Sequence, residues 1–151
     1  MSLAFATPGQ AATFAAVHAR AFPSPWGASE FEELLASPGV FGLLHGEAEA
    51  IGLVLCRIAA GEMEVLTLGV SGEARRSGVG RQLMLAALAS ARQLGAQEAF
   101  LEVAVDNDAA VALYESLGFS RAGLRRAYYD RGTAGRVDAL VMRLDLSAPA
   151  A

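Results

Sequence analysis

Cysteine is nearly absent: Cys56 is the only one in 151 residues. An internal disulfide and any multi-cysteine metal site are therefore excluded. Histidine is scarce as well, and neither His18 nor His45 sits in a pattern that completes a Cys-based nucleophilic triad, so Cys56 reads as a small apolar filler within a strand. Basic residues do not dominate. The net charge of −4 and a pI near 5.1 argue against a general nucleic-acid binder, which needs clustered cations for phosphate contacts. Long apolar runs are missing too; those present are strand-length and broken by glycine or charge, and the first residues lack a basic segment followed by an apolar one. No membrane anchoring is expected, and the cytoplasm is the expected location. What is present is ample apolar material, 54% hydrophobic against 19% charged residues, enough for an ordered core. A chain of this length buries roughly 70% of the surface its unfolded form exposes. One domain over residues 1–146, with a loose tail at 147–151, is expected.

Periodicity divides the chain into alternating elements. Thr7, Pro8 and Gln10 form a helix start, and Ala11, Phe14, Ala15, His18 and Phe22 recur at helical spacing, with His18 on the core stripe. Pro23, Pro25 and Trp26 interrupt that helix, and 30–36 is a short amphipathic second one. Three apolar runs, 40–45, 51–58 and 62–70, have the spacing of antiparallel strands. A helix follows over 81–94 with Gly95 placed to end it, then a strand around Glu102. Asp106 or Asn107 caps the next helix, whose stripe is Ala110, Leu113, Tyr114 and Leu117 and whose stop is Gly118, folding Phe119 back toward Tyr114. Segments 120–127 and 137–144 are the last two strands, around a turn holding Asp130, Gly132 and Gly135.

Two places carry chemistry. Glu102 is a carboxylate within the apolar run Phe100 to Val105, where an ionised group needs partners or access to water. The segment Arg75, Arg76, Ser77, Gly78, Val79, Gly80 lies between a strand and a helix, where free backbone N–H groups and the helix dipole favour an anion and nearby arginines add charge. A dinucleotide-binding motif fits less well. Leu83 replaces the third glycine of that fingerprint, and antiparallel strands precede it.

Together, RxxGxG at Arg75 to Gly80 and E(x4)N(x6)Y(x3)GF at Glu102 to Phe119 resemble the GNAT acetyltransferase family, and within it the RimI-type bacterial members. HARAFPSPW at His18 to Trp26 resembles that family's first substrate loop, and RRAYY at Arg125 to Tyr129 its late strand. The resemblance implies an α/β fold: a mixed, mostly antiparallel sheet of about seven strands with about four helices, splayed between strands four and five. It also implies acetyl-CoA as cosubstrate, with no metal. By position, Leu68, Gly69 and Val70 would hold the pantetheine arm, Arg75, Arg76, Ser77, Gly78, Val79, Gly80 and Arg81 the pyrophosphate, and Asn107 a further part of the cofactor. Glu102 would be the base and Tyr114 the acid; Trp26, Tyr128 and Tyr129 would wall the acceptor.

An amine attacks a thioester only when neutral, and the departing thiolate needs a proton, so a carboxylate and a phenol divide the work. An α-amine, with a reference pKa of 7.7 to 8.0 against 10.4 for lysine, is easier to supply neutral at pH 7 by about 3.5 kcal/mol. The expected acceptor is a protein N-terminus, in particular that of a small-subunit ribosomal protein beginning with alanine. Alternatives are a small amine, an internal lysine, or a non-catalytic CoA-binding module; either a monomer or a homodimer suits the sequence. Thr67 and Gly69 stand where RimI-type members carry Asn and Ala, a departure that bears on the acceptor. As bland readings, Tyr114 packs on Phe119 and Glu102 pairs with an arginine of a neighbouring strand.

Overall fold

The computed structural model describes residues 3–46, 49–72, 77–130 and 135–147, and within them a mixed sheet of seven strands runs in the order β1-β2-β3-β4-β5-β7-β6. The chain enters on β1 (Leu3–Phe5) and passes through a short 3-10 turn at Pro8–Gln10 into α1 (Ala11–Ala21) and α2 (Ala28–Ala36). Then come β2 (Val40–His45), β3 (Gly52–Ala59), β4 (Glu62–Val70), α3 (Val79–Gln93), β5 (Glu98–Ala104), α4 (Asp108–Ser116), β6 (Ser120–Asp130) and β7 (Arg136–Asp145). The expected fold class, element order and strand count are all present. Among the described residues no helix is long and apolar enough to cross a membrane.

Each face of the sheet carries its own apolar cluster. Val54, Met63 and Val65 of the sheet pack with Leu83, Met84 and Leu88 of α3 and with Val111 and Tyr114 of α4. On the other face Leu44, Leu53 and Leu55 meet Phe14 and Val17 of α1 and Phe31 of α2. Helices on both sides of one sheet give every strand face somewhere to bury. Glycine permits the closest approach: a Cβ on Gly52 would lie 2.8 Å from Val79 Cγ1 and 2.9 Å from Leu83 Cδ1, so the bare backbone lets the first turn of α3 settle on β3.

β4 and β5 create the opening. They run parallel but pair only over Glu62 to Glu64 against Glu98 to Phe100, and beyond that point they diverge. A bulge in β4 accompanies the divergence: Leu55 faces Thr67 while Cys56 faces Val65, leaving Leu66 as the extra residue. It resets the alternation. Met63, Val65, Leu68 and Val70 then belong to the α3 side, while Leu66 joins the α1 side, where Thr67 meets His18 and Gly69 backs onto Ala21 and Phe22.

Three boundaries differ from the sequence reading. β1 is a three-residue edge strand, too short and too exposed to leave a period. α3 starts at Val79, because Gly78 as its N-cap holds the left-handed φ of 85° and the helix begins directly after it. β6 continues past Ala127 to Asp130 through a second bulge, in which Arg126, Ala127 and Tyr128 oppose Asp138 alone. Ala127 takes a φ of 51° there, its N–H donating to Asp138 Oδ1 at 2.7 Å and its carbonyl accepting from Arg136 at 3.2 Å. Of the expected tail, residues 148–151 lie outside the described residues.

Candidate active site

Glu102 lies on β5 between the buried Leu101 and Val103, so the strand's alternation turns its carboxylate to the opposite face. Its side chain is 23% exposed, enough for water to reach it. The partner it needs is Arg125 of β6, whose guanidinium reaches across β7 to donate to Glu102 Oε1 at 2.6 Å. Arg125 also sits over the Tyr128 ring at 4.3 Å, and the bond to Glu102 raises its pKa above the ordinary arginine value. The bland reading of Glu102 as an ion-pair member is thus correct as far as it goes.

Tyr129 completes the group: its hydroxyl donates to the Glu102 carbonyl at 3.3 Å, and its ring meets Tyr128 edge to face at 5.1 Å. Burial raises the Tyr129 phenol pKa, with Glu102 adding to the effect and Arg125 opposing it. The β6 bulge is what brings both tyrosines to this place.

Tyr114 is buried on α4, edge to face with Phe119 at 6.0 Å, as the helical stripe and the Gly118 turn anticipate. Burial pushes its phenol well above the ordinary tyrosine range, and Tyr129 and Cys56 push it further. It is a proton donor throughout the neutral range. Tyr129 therefore links the two: its hydroxyl meets the Glu102 backbone, and its charge is felt at Tyr114.

The anion cradle lies at the start of α3, the helix that follows β4. Gly78 and the buried Val79 lead into α3, and the first intrahelical bond runs from Gln82 N–H to the Gly78 carbonyl at 3.0 Å. The N–H groups of Val79, Gly80 and Arg81 precede it and have no intrahelical acceptor. A Cβ on Gly78 would meet nothing within 4 Å, so the backbone stands open to a ligand. Ser77 is exposed beside it. Arg81 is turned toward α4, donating to Ser116 Oγ at 2.9 Å, and Arg75 and Arg76 lie outside the described residues. Leu68 and Val70 face α3 from β4, and Asn107 caps α4 by accepting from the Ala110 N–H at 3.3 Å. Among the described residues there is no cluster of His, Cys, Asp or Glu with the makings of a metal site.

Trp26 belongs to the α1 and α2 cluster. Its indole stacks on His18 at 5.0 Å and tilts against Phe31 at 5.6 Å, so much of its surface serves the packing between α1 and α2. His18 itself is buried; its Nδ1 accepts from the Trp26 backbone N–H at 3.0 Å and its Nε2 lies 3.1 Å from Thr67 Oγ1. Burial lowers the His18 pKa to about 4, against a smaller opposing effect of Glu30. Sequence periodicity shows His18 as a core residue but cannot show that Thr67 is its partner 49 positions away. Nor does it single out Arg125 or Asp138, whose roles depend on strand register.

The Acetyltransferase (GNAT) family model matches residues 12–119. The [ribosomal protein bS18]-alanine N-acetyltransferase of Escherichia coli is 31% identical over 131 residues, spanning 87% of this chain and 88% of that protein. N-alpha-acetyltransferase RimI of Mycobacterium tuberculosis is 41% identical over 132 residues, spanning 83% and 78%. Among solved structures, the ribosomal-protein-S18-alanine N-acetyltransferase from Escherichia coli superposes with a TM-score of 0.88 at 26% identity, over 99% of this chain and 97% of that one. Arabidopsis thaliana NAA60 in complex with acetyl-CoA shares the fold, with a TM-score of 0.82 at 16% identity over 97% and 100%. With a family match over most of its length and a relative 31% identical over 87% of it, this chain belongs to the GNAT acetyltransferase family.

Proposed function

We propose that this acetyltransferase moves an acetyl group from acetyl-CoA to the α-amino group of a protein N-terminus, the target being a small-subunit ribosomal protein that begins with alanine. The observation that carries the reading is the water-reachable Glu102 carboxylate held by Arg125, with Tyr129 bonded to the Glu102 backbone and close enough to Tyr114 to affect its phenol. The relatives' acceptor supports its specific part, since the Escherichia coli protein acts on the alanine of ribosomal protein bS18.

When bound, acetyl-CoA supplies the activated acyl group as a thioester. The residues present fit it: the N-terminus of α3 at Val79, Gly80 and Arg81 suits its pyrophosphate, and the exposed backbone at Gly78 leaves room for close approach. The stretch Leu68 to Val70, paired with β3 and lying past the β4–β5 register, offers backbone groups to its arm, with Asn107 and Ser77 following in the chain order of the family pattern. Glu102, reachable by water, draws the proton from the incoming ammonium, and Arg125 holds that carboxylate in its orientation. Tyr114 stays protonated and donates to the departing sulfur. Tyr128 and Tyr129 border the acceptor, with the half-buried Trp26 on the opposite loop.

Transfer is direct. All 12 cationic residues are arginine, so no lysine side chain can carry the acetyl group, and the lone Cys56 is fully buried with its thiol pushed up by burial.

A panel of acceptors read by mass spectrometry tests the reading. It contains a peptide with a free N-terminal alanine, the same peptide blocked at its N-terminus with an internal lysine, spermidine and an amino sugar. Acetylation of the free α-amine at least about tenfold faster than any other acceptor is expected, following the supply of neutral amine. Faster acetylation of the ε-amine or of a small amine overturns the protein N-terminus as substrate, and binding of acetyl-CoA without transfer to any amine overturns the enzymatic assignment of Glu102 and Tyr114.

A further inference from the structure

We infer that His18 is a positioning residue for acetyl transfer: as a neutral imidazole with its proton on Nε2, it fastens the acceptor-side loop between α1 and α2 to Thr67 of β4. The loop's role as the acceptor side rests on the proposed function above, whereas the fastening itself is geometric. A backbone N–H can only donate, so the bond from Trp26 N–H to Nδ1 at 3.0 Å requires a lone pair on that nitrogen. The ring's one proton then lies on Nε2, facing Thr67 Oγ1 at 3.1 Å. A second proton would set two N–H groups against each other at Nδ1.

Both ends of the loop are attached to this ring. Phe22, where α1 stops, stacks on it at 4.3 Å; Trp26, just before α2, stacks at 5.0 Å and also donates to it. Phe31 closes the edge at 5.3 Å. The exposed Pro23, Ser24 and Pro25 between these anchors form the loop's outer rim. Phe22 gains a second seat on β4, because a Cβ at Gly69 would come within 3.0 Å of its ring. Thr67 and Gly69 thus hold the loop from one face of the strand, and Leu68 and Val70 between and beside them face α3. The segment offered to the thioester arm and the loop facing the acceptor are consequently registered on the same few residues of β4, and His18 is the polar link between them. Positioning of this kind is worth large rate factors when the reacting atoms must meet at a fixed distance.

His18→Phe keeps a flat ring for the stack and removes both hydrogen bonds; Thr67→Val removes the partner, and Thr67→Ser restores a hydroxyl. Steady-state kinetics of these variants and of the double variant use whichever acceptor the wild type turns over fastest, so the outcome does not depend on that acceptor being an N-terminus. Expected are a fall of about tenfold or more in kcat/KM for the acceptor in each single variant, no further fall in the double, recovery to within about threefold in Thr67→Ser, and a KM for acetyl-CoA within about twofold of wild type. Unchanged acceptor kinetics, additive losses, or an equal rise in KM for acetyl-CoA overturn the inference. Nitrogen-15 NMR of the imidazole in the wild type at pH 7 decides it independently of any acceptor: Nε2 carrying the proton is expected, and a protonated Nδ1 or an imidazolium overturns it.

Discussion

Tyr114 packs on Phe119 like any core aromatic, yet it carries a hydroxyl whose proton burial holds firmly in place at neutral pH. Removing that hydroxyl separates the two roles. Tyr114→Phe keeps the ring and its packing, so unfolding stability should change by no more than about 1 kcal/mol, while turnover falls by about a hundredfold and acetyl-CoA affinity is kept. Steady-state kinetics beside urea unfolding read both quantities, and undiminished turnover removes Tyr114 as the acid. At Glu102 the informative change is to glutamine, whose amide oxygen still accepts from Arg125 but cannot take a proton. We expect kcat/KM at pH 7 to fall by about 10² to 10⁴ and to recover as pH rises, because bulk deprotonation of the amine replaces the lost base. A pH profile parallel to the wild type would instead mean that Glu102 only orients Arg125.

The elements put these residues in reach, and Gly52 shows how little slack they have. A valine there would drive its side chain into Val79 and Leu83, already within 3.0 Å of a bare Cβ, and lift the first turn of α3 from β3. The expected result is a loss of about 1 to 3 kcal/mol in urea unfolding together with a several-fold higher KM for acetyl-CoA at unchanged KM for the acceptor. A higher acceptor KM alone would contradict the assignment of the α3 N-terminus to the cofactor. Much at this scale was legible from the chain: the buried strand around Glu102, the Asn107 cap, and the stops at Gly95 and Gly118, whose φ values are 90° and 101°, all follow from local chemistry. Cross-strand features were not. The extra residue Leu66 in β4 and the bulge at Ala127 in β6 exist only against their partner strands, and β1 is too short for any period to appear. The reach of Arg125 to Glu102 across β7 depends on that register, so sequence alone offered an unnamed arginine.

Across the whole molecule the two apolar faces are joined through one sheet, and a buried base on one face makes stability depend on pH. His18 protonates near pH 4 in the folded protein, whereas in the unfolded chain it does so near 6.5. Between those values the unfolded state binds the proton and the folded state does not, so the unfolded state gains as pH falls. The sign follows: stability is at its full value above about pH 6.5, declines through the window down to about pH 4, and undergoes no further change from this group below it. The decline amounts to roughly 3.5 kcal/mol at most, since each pH unit between 6.5 and about 4 is worth about 1.4 kcal/mol and the value near 4 already includes the opposing effect of Glu30. Carboxylates titrate near the lower end of the same window, so the decisive quantity is the difference between wild type and His18→Phe. Urea unfolding at intervals from pH 7.5 to pH 4 should show the wild type losing more stability than the variant, with the excess accumulating mainly between pH 6.5 and pH 4. Equal losses in the two proteins would mean that the imidazole titrates normally in the folded state, which the stack of Phe22, Trp26 and Phe31 around it does not permit.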